Sequence, residues 1–577
     1  MWCLPSVPQL RQEEDNLDMA EEEKKYKTDL SFMFGEYNRP TPENEEDSYV
    51  GFFKNVVTGE SVMKIVDNPK VNIYVTAEHY RTHKYKIEWA PKVQLDEYVT
   101  LYRDRAETLD TVLNGNGRPR WWKGRPPNLK KLMSSPYVYG ADIDFGVRVK
   151  YRYELMNGGR KPESYNVGGL DIETDVNEID GKGSKSVIIC TFIDHKGNTF
   201  VGIRKKFFAD HTVEEVEKMW KEKTEPEFLS KLTDDPKTGS RKLYEESGGI
   251  KIVAQIFDEE LDLLKWIFDC IHVSRPDFVT IWNMDYDIPY ILERLNFRQA
   301  DPRDVLCSPD IPKKYRQCTY YHDNGKKQDH ITDRWHVLHL TDYTKYVDAM
   351  CMYARIRKAS TRKPSYNLDA IATEELGSGK LKFGLDDHHT MQLNHKVEYV
   401  VYNIVDVLLL RLLDLKNHDT ANMLRLLDAS LIDDYARQSV QLKNTFFCYL
   451  DMLGGVPASM GDPIVMPWDK YITNKGGQVL DPCKTVKTGV AILVESSLIS
   501  FLHKLVCDID VNLASTYGDV RVKTLLTAGS YRSNLDRYNA SRKGDRDTSK
   551  NRLARYNQHR STLTGVCSEV IPQGSRD

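Results

Sequence analysis

Cysteine patterning is the first thing missing from this 577-residue chain, whose ten cysteines include no C-x-x-C pair and keep no regular spacing. Neither a disulfide framework nor a cysteine-based zinc motif is indicated, and a reducing, cytosol-like compartment is expected. Long apolar runs are missing too. None approaches the ~20 residues that a membrane span requires, and the opening Met1–Leu10 lacks the basic stretch that heads a signal peptide. A large excess of one charge is also absent, since 81 Lys and Arg stand against 85 Asp and Glu. Binding of a polyanion would then rest on a local basic groove and not on the whole surface. No Ser-His-Asp or Cys-His grouping is apparent, so no covalent intermediate is expected. What the chain does have is length for three or four domains and 40% hydrophobic residues, enough for several cores.

Residues 1–47 are acidic and poor in large apolar residues, with Glu13-Glu14-Asp15 and Glu21-Glu22-Glu23 close together. They are expected to form a disordered lead-in. A small mixed N-terminal domain is expected over 48–165, with Val71–Val75 alternating like a strand. The texture over 166–420 is α/β. Ser186–Ile193 reads as a buried strand, Leu261, Leu264, Trp266 and Ile267 as one helix face, and Phe278–Trp282 as the next strand. Residues 221–248 are charged and are expected to be a surface insert. Connecting helices should follow over 421–517. Beyond them, 521–577 carries twelve Lys and Arg against five Asp and Glu with little apolar periodicity, so 518–577 is expected to be a basic, disordered or foreign tail.

The chemistry concentrates in acids. In Leu170-Asp171-Ile172-Glu173-Thr174, read as a strand, side chains alternate faces, so Asp171 and Glu173 point one way while Leu170 and Ile172 enter a core. Two carboxylates on one face repel unless a cation sits between them, and paired oxygen ligands suit Mg²⁺ or Mn²⁺. Taken alone, solvated acids on a strand edge would look the same. The strand Phe278–Trp282 delivers Asn283-Met284-Asp285-Tyr286-Asp287 to a strand end, where α/β active sites lie. On the helix around Glu398–Val407, Tyr402 and Asp406 are four apart and share a face. Apolar residues fill most of that helix's circumference, which makes Asp406 a buried acid that needs a partner such as a metal. Arg118, Arg120, Trp121, Trp122, Lys123 and Arg125, with Lys130 and Lys131 beyond, interleave cations with indoles. Such a segment either grips phosphates and stacks bases or anchors a surface loop.

Asp-x-Glu on a strand, Asp at a strand end and Tyr-x-x-x-Asp on a helix, in that order, resemble the tyrosine-bearing branch of the DEDD exonuclease superfamily. Together with WNMDYDIPYI, KPSYNLDAIA, YNIVDV and the turn at Gly476-Gly477, they make residues 48–517 similar to the family B replicative DNA polymerases of large tailed phages. The resemblance implies an α/β and α+β multidomain chain: an RNase H-like exonuclease domain, a small mixed N-terminal domain and the start of a palm. It implies 3′→5′ proofreading during phage DNA replication, on single-stranded or frayed 3′ ends of DNA, in the cytoplasm of an infected bacterium and away from membranes. Asp171, Glu173, Asp287 and Asp406 would hold two Mg²⁺ (or Mn²⁺) ions, and Tyr402 would orient the attacking water. The family usually has one more residue between the Asn and the Asp of the middle motif, so Asp285 is the fallback for Asp287.

The polymerase half of the resemblance stops early. Ala514-Ser515-Thr516-Tyr517 fits the end of the palm motif D-x-x-S-L-Y-P, yet five residues before Tyr517 stands Asn512. Asp510, which with Asp508 lies on the same strand face, is the candidate palm metal ligand if the strand is bulged. Gly518 replaces the family's proline, and nothing after it matches the fingers helix, the second palm strand or the thumb. A split gene or an intervening sequence would account for this. The chain alone is not expected to extend a primer, and a second chain carrying the remainder is an expected partner. A free-standing 3′→5′ DNA exonuclease and a non-catalytic, truncated nucleic-acid-binding product are the other readings.

Overall fold

The computed structural model describes residues 26–461 except 41–44, 83–87, 115–127, 180, 182–184, 234–238, 323–330, 359–362, 381–387 and 427–428. The Arg118–Arg125 segment, the Gly476-Gly477 turn, Asp508, Asp510, Asn512 and the tail all lie outside the described residues.

Chain order starts with a three-stranded antiparallel sheet, β1 (Leu30–Asn38), β2 (Ser48–Asn55) and β3 (Ser61–Asp67). Residues 30–38 were expected in the lead-in, and this is a correction. Phe32, Met33 and Phe34 supply buried apolar side chains, which a count dominated by neighbouring acids obscures. A second small sheet sets β4 (Lys70–Thr76) between β6 (Leu95–Leu101) and β7 (Val138–Tyr139), and β5 (Trp89–Pro91) pairs with β16 (Gly455–Pro457). The last described strand is thereby tied back to the N-terminal part.

The centre is a mixed six-stranded sheet. Its strands are β8 (Val167–Thr174), β9 (Val187–Ile193), β10 (Asn198–Arg204), β11 (Lys251–Phe257), β12 (Phe278–Ile281) and β15 (Lys345–Asp348), in the order β11-β10-β9-β8-β12-β15. β8 pairs antiparallel with β9 and parallel with β12, so it is covered on both edges. β13 (Cys318–His322) and β14 (His336–Leu340) form a separate hairpin-like pair. Gly168 is needed for close approach: a Cβ there would stand 2.8 Å from the Ile193 carbonyl oxygen.

Four helices position the acids and their surroundings: α1 (Glu260–Ser274), α2 (Met284–Phe297), α3 (Ala349–Ile356) and α4 (Lys396–Asn417). Helix α4 crosses β8, β9 and β10 and buries Val400, Val401, Ile404, Val405, Leu408 and Leu409 in one cluster with Ile188, Val201 and Ile203. The other sheet face packs Leu170, Ile172 and Val279 against α1 and α2. Trp220, Phe228 and Tyr244 belong to the α4 cluster. The charged stretch 221–248 is therefore not a surface excursion, because its sparse aromatics close one edge of the core while its many charges face out.

No gap in packing falls near residue 165. Phe34, Val50 and Phe52 share a cluster with Phe278, Val347, Cys351 and Met352. Buried ions reinforce the junction. Lys54 pairs with Asp277, and Lys345 on β15 donates to Glu36 on β1 at 2.9 Å and to Asp433 at 2.8 Å.

Candidate active site

Alternation along β8 sends Leu170 and Ile172, 0% and 5% exposed, into the core. Asp171 and Glu173 face α4. Oxygen atoms of Asp171, Glu173 and Asp406 all lie within 4.8 Å of one another. Asp406 is buried on the inner face of α4 and Asp287 is buried in the first turn of α2. Asp287 is not in that mutual group of three, yet its charge is the strongest of those acting on Asp171. Asp285 goes elsewhere: it accepts from the Tyr320 hydroxyl at 3.1 Å and meets His336 at 3.5 Å.

Asp171, Glu173 and Asp406 are each held by a side chain that the sequence did not single out. Asn403 donates to Asp171 Oδ2 at 2.5 Å. Tyr399 donates to Glu173 Oε2, and its ring lies parallel to that of Tyr402, centroids 6.2 Å apart. His388 stands edge-on to both rings. Lys380 contacts Asp406 Oδ2 and donates to the Tyr402 hydroxyl at 2.9 Å. Asn403 and Tyr399 were legible in principle. They precede Asp406 by three and seven residues, on the same helical face. Lys380 was not, because only the path of the chain after Gly377 brings it there.

The electrostatics are those of a site short of positive charge. Burial, then the charges of Asp287, Asp406 and Glu173, push Asp171 well above the usual carboxylate range. Burial likewise lifts Glu173 to about 7 and Asp287 to about 8. Asp406 is raised by burial against the opposing pull of Lys380. Lys380 keeps its proton, since Asp406, Tyr402 and Asp171 outweigh the effect of burial. Clustered all-oxygen donors that repel one another fit a hard divalent cation, so Asp171, Glu173 and Asp406 can hold a metal, with Asp287 beside them.

A pH dependence follows. Glu173 titrates at about 7 folded against an ordinary 4.5, and Asp287 at about 8 against 3.8. Between those values the folded chain binds more protons than the unfolded one, so stability is fullest at low pH and is lost as pH rises. The metal-free chain in chelator should show a Tm that falls from about pH 5 to about pH 8, and Mg²⁺ should reverse the fall by binding the folded state. Thermal scans in which Mg²⁺ gives no gain at the upper pH would contradict this.

A mixed sheet presents carboxylates from its central strand to a crossing helix, with another acid at a neighbouring strand end, an arrangement that could hold a divalent cation. Residues 142–371 match the family model described as DNA polymerase family B, exonuclease domain. Similar proteins include the DNA-directed DNA polymerase of Enterobacteria phage T4, 27% identical over 160 residues, and that of Escherichia phage RB69, 30% identical over 158. Each match takes in 27% of this chain and 16% of the relative's length. No helix among the described residues is long and apolar enough to cross a membrane.

Proposed function

We propose that this chain removes nucleotides from the 3′ end of DNA by Mg²⁺-dependent hydrolysis, as the proofreading part of a phage family B polymerase acting in the host cytoplasm. The convergence of Asp171, Glu173 and Asp406 within 4.8 Å, the first two inside a segment that matches a family B exonuclease domain, carries this reading. The sheet order, with the acids on its central strand, supports an RNase H-like fold for the segment.

Asp171, Glu173, Asp406 and Asp287 would hold two Mg²⁺ or Mn²⁺ ions. When bound, these supply an activated water and charge neutralisation at the scissile phosphate. The chain's own residues do the positioning. Asn403 fixes Asp171, and Tyr399 fixes Glu173. Lys380 donates to the Tyr402 oxygen, which leaves the phenolic proton free to engage water or phosphate. Burial keeps Tyr402 protonated, with the Asp406 charge acting in the same sense. Alignment of the attacking water is where a lost hydrogen bond should be felt.

The test is digestion of a 5′-labelled single-stranded oligonucleotide, which should shorten stepwise with Mg²⁺ and stay intact in chelator. Digestion indifferent to chelator, or blocked by modifying the 5′ end and not the 3′ end, would refute the reading. Tyr402→Phe should slow single-turnover digestion by about 100-fold, the scale of a small misplacement of the reacting groups when the metals remain, and should leave Mn²⁺ affinity unchanged. A Tyr402→Phe rate equal to the parent's would remove Tyr402 from the chemistry.

A further inference from the structure

We propose that His336, Asp348 and Cys351, joined by Asp285, form a second cation site, separate from the carboxylate cluster, that takes zinc or a similar thiophilic divalent ion. The inference goes beyond the exonuclease reading and does not depend on it. Donor atoms of His336, Asp348 and Cys351 lie within 4.8 Å of one another, and all three residues are buried. Small shifts bring such a set to the ~3.5 Å donor separation that zinc–nitrogen and zinc–sulfur bonds of 2.0–2.3 Å impose on a tetrahedron.

Local structure explains why these atoms converge. Asp348 ends β15 and caps α3, its Oδ1 accepting the backbone N–H of Cys351 at 2.8 Å. The cap leaves the other oxygen, Oδ2, unused. That atom is buried and meets no hydrogen-bond donor among the described residues, in a residue only 2% exposed. An acceptor left so costs about 1–3 kcal/mol, and a cation would satisfy it. His336 begins β14, fixed by its backbone N–H, which donates to the Tyr435 hydroxyl at 2.9 Å. Asp285 Oδ1 stands 3.5 Å from His336 Nδ1, and the Asp285 side chain is 36% exposed, which gives an ion its way in from solvent.

The ligand types choose the ion. A thiolate and an imidazole favour zinc over Mg²⁺, whereas the oxygen-only cluster around Asp171 has the reverse preference. Charge also closes: one thiolate and two carboxylates balance a divalent ion together with Arg334, whose charge reaches both Asp348 and Cys351. The ligands come from β14, the β15–α3 junction and the first turn of α2, so the ion would pin three elements that no C-x-x-C spacing connects.

Full-length protein would be loaded with ZnCl₂ in excess Mg²⁺, which occupies the oxygen cluster, then desalted and assayed for metal by mass spectrometry. About one zinc per chain is expected, with loss of that equivalent in Cys351→Ser and its retention in the control Cys270→Ser. Loading with Co²⁺ should give thiolate-to-cobalt charge-transfer absorption in the unsubstituted chain, which makes the outcome independent of whether Cys351→Ser folds. His336→Gln should weaken that absorption at least several-fold. No retained zinc, equal zinc in Cys351→Ser, or a cobalt spectrum without the thiolate band would each overturn the proposal.

Discussion

Digestion of a 3′ end should fall by at least ~10³-fold in the Asp171→Ala/Glu173→Ala double variant, the scale lost when groups that stabilise developing charge are removed. Both side chains belong to the group of donor atoms within 4.8 Å, and without them only Asp406 of that group remains. Asp406, already paired with Lys380, and Asp287, outside that group, do not by themselves hold a divalent ion against water. The fold should survive, because neither side chain is core: Leu170 and Ile172 carry the packing of β8. Repulsion among buried acids is relieved at the same time. The metal-free double variant should therefore melt at or above the parent's Tm near about pH 8, where the parent's raised carboxyls are most costly. In Mg²⁺ the order reverses, since only the parent gains from binding. A purified double variant with rates within a few-fold of the parent would refute the site. So would one that gains as much Tm from Mg²⁺.

Lys345→Met should destabilise the chain by about 3–5 kcal/mol, the usual consequence of removing one member of a buried ionic group. Lys345 is 1% exposed and is the shared cation between Glu36 and Asp433. His339 also faces Glu36 at 3.0 Å, but one imidazole cannot replace an ammonium that serves both acids. Methionine fills a similar volume, so the loss would be electrostatic and not a cavity. The pH dependence has a definite sign. Glu36 and Asp433, deprived of their cation, acquire raised folded-state pKa values, so the variant's stability is lost as pH rises and its deficit should shrink toward pH ~5. Adding Glu36→Gln and Asp433→Asn to Lys345→Met should recover part of the loss. Urea unfolding that finds the single variant within ~1 kcal/mol of the parent would show the network to be energetically neutral. Because Glu36 lies on β1 and Lys345 on β15, the unfolding should be felt in both sheets.

The sequence by itself determined the features that depend on short-range periodicity. Period-two alternation placed Leu170 and Ile172 in the core and Asp171 and Glu173 together. The four-residue spacing placed Tyr402 and Asp406 on one helical face. Motif order pointed to a family B exonuclease segment, and residues 142–371 match the model of that domain. Composition misled wherever charge outnumbers a few decisive apolar residues: Phe32–Phe34 in the acidic lead-in, and Phe228 and Tyr244 in the charged stretch 221–248. Only the tertiary structure decided what the long-range contacts decide. It separated Asp287, buried beside Asp171, from Asp285, turned toward His336, although the two are only two residues apart in the first turn of α2. It brought Lys380 onto Asp406 and Lys345 between Glu36 and Asp433, across separations of 26 to 309 residues. Local spacing carries no information about such pairs, because which buried charge meets which is fixed by how the sheets and helices pack.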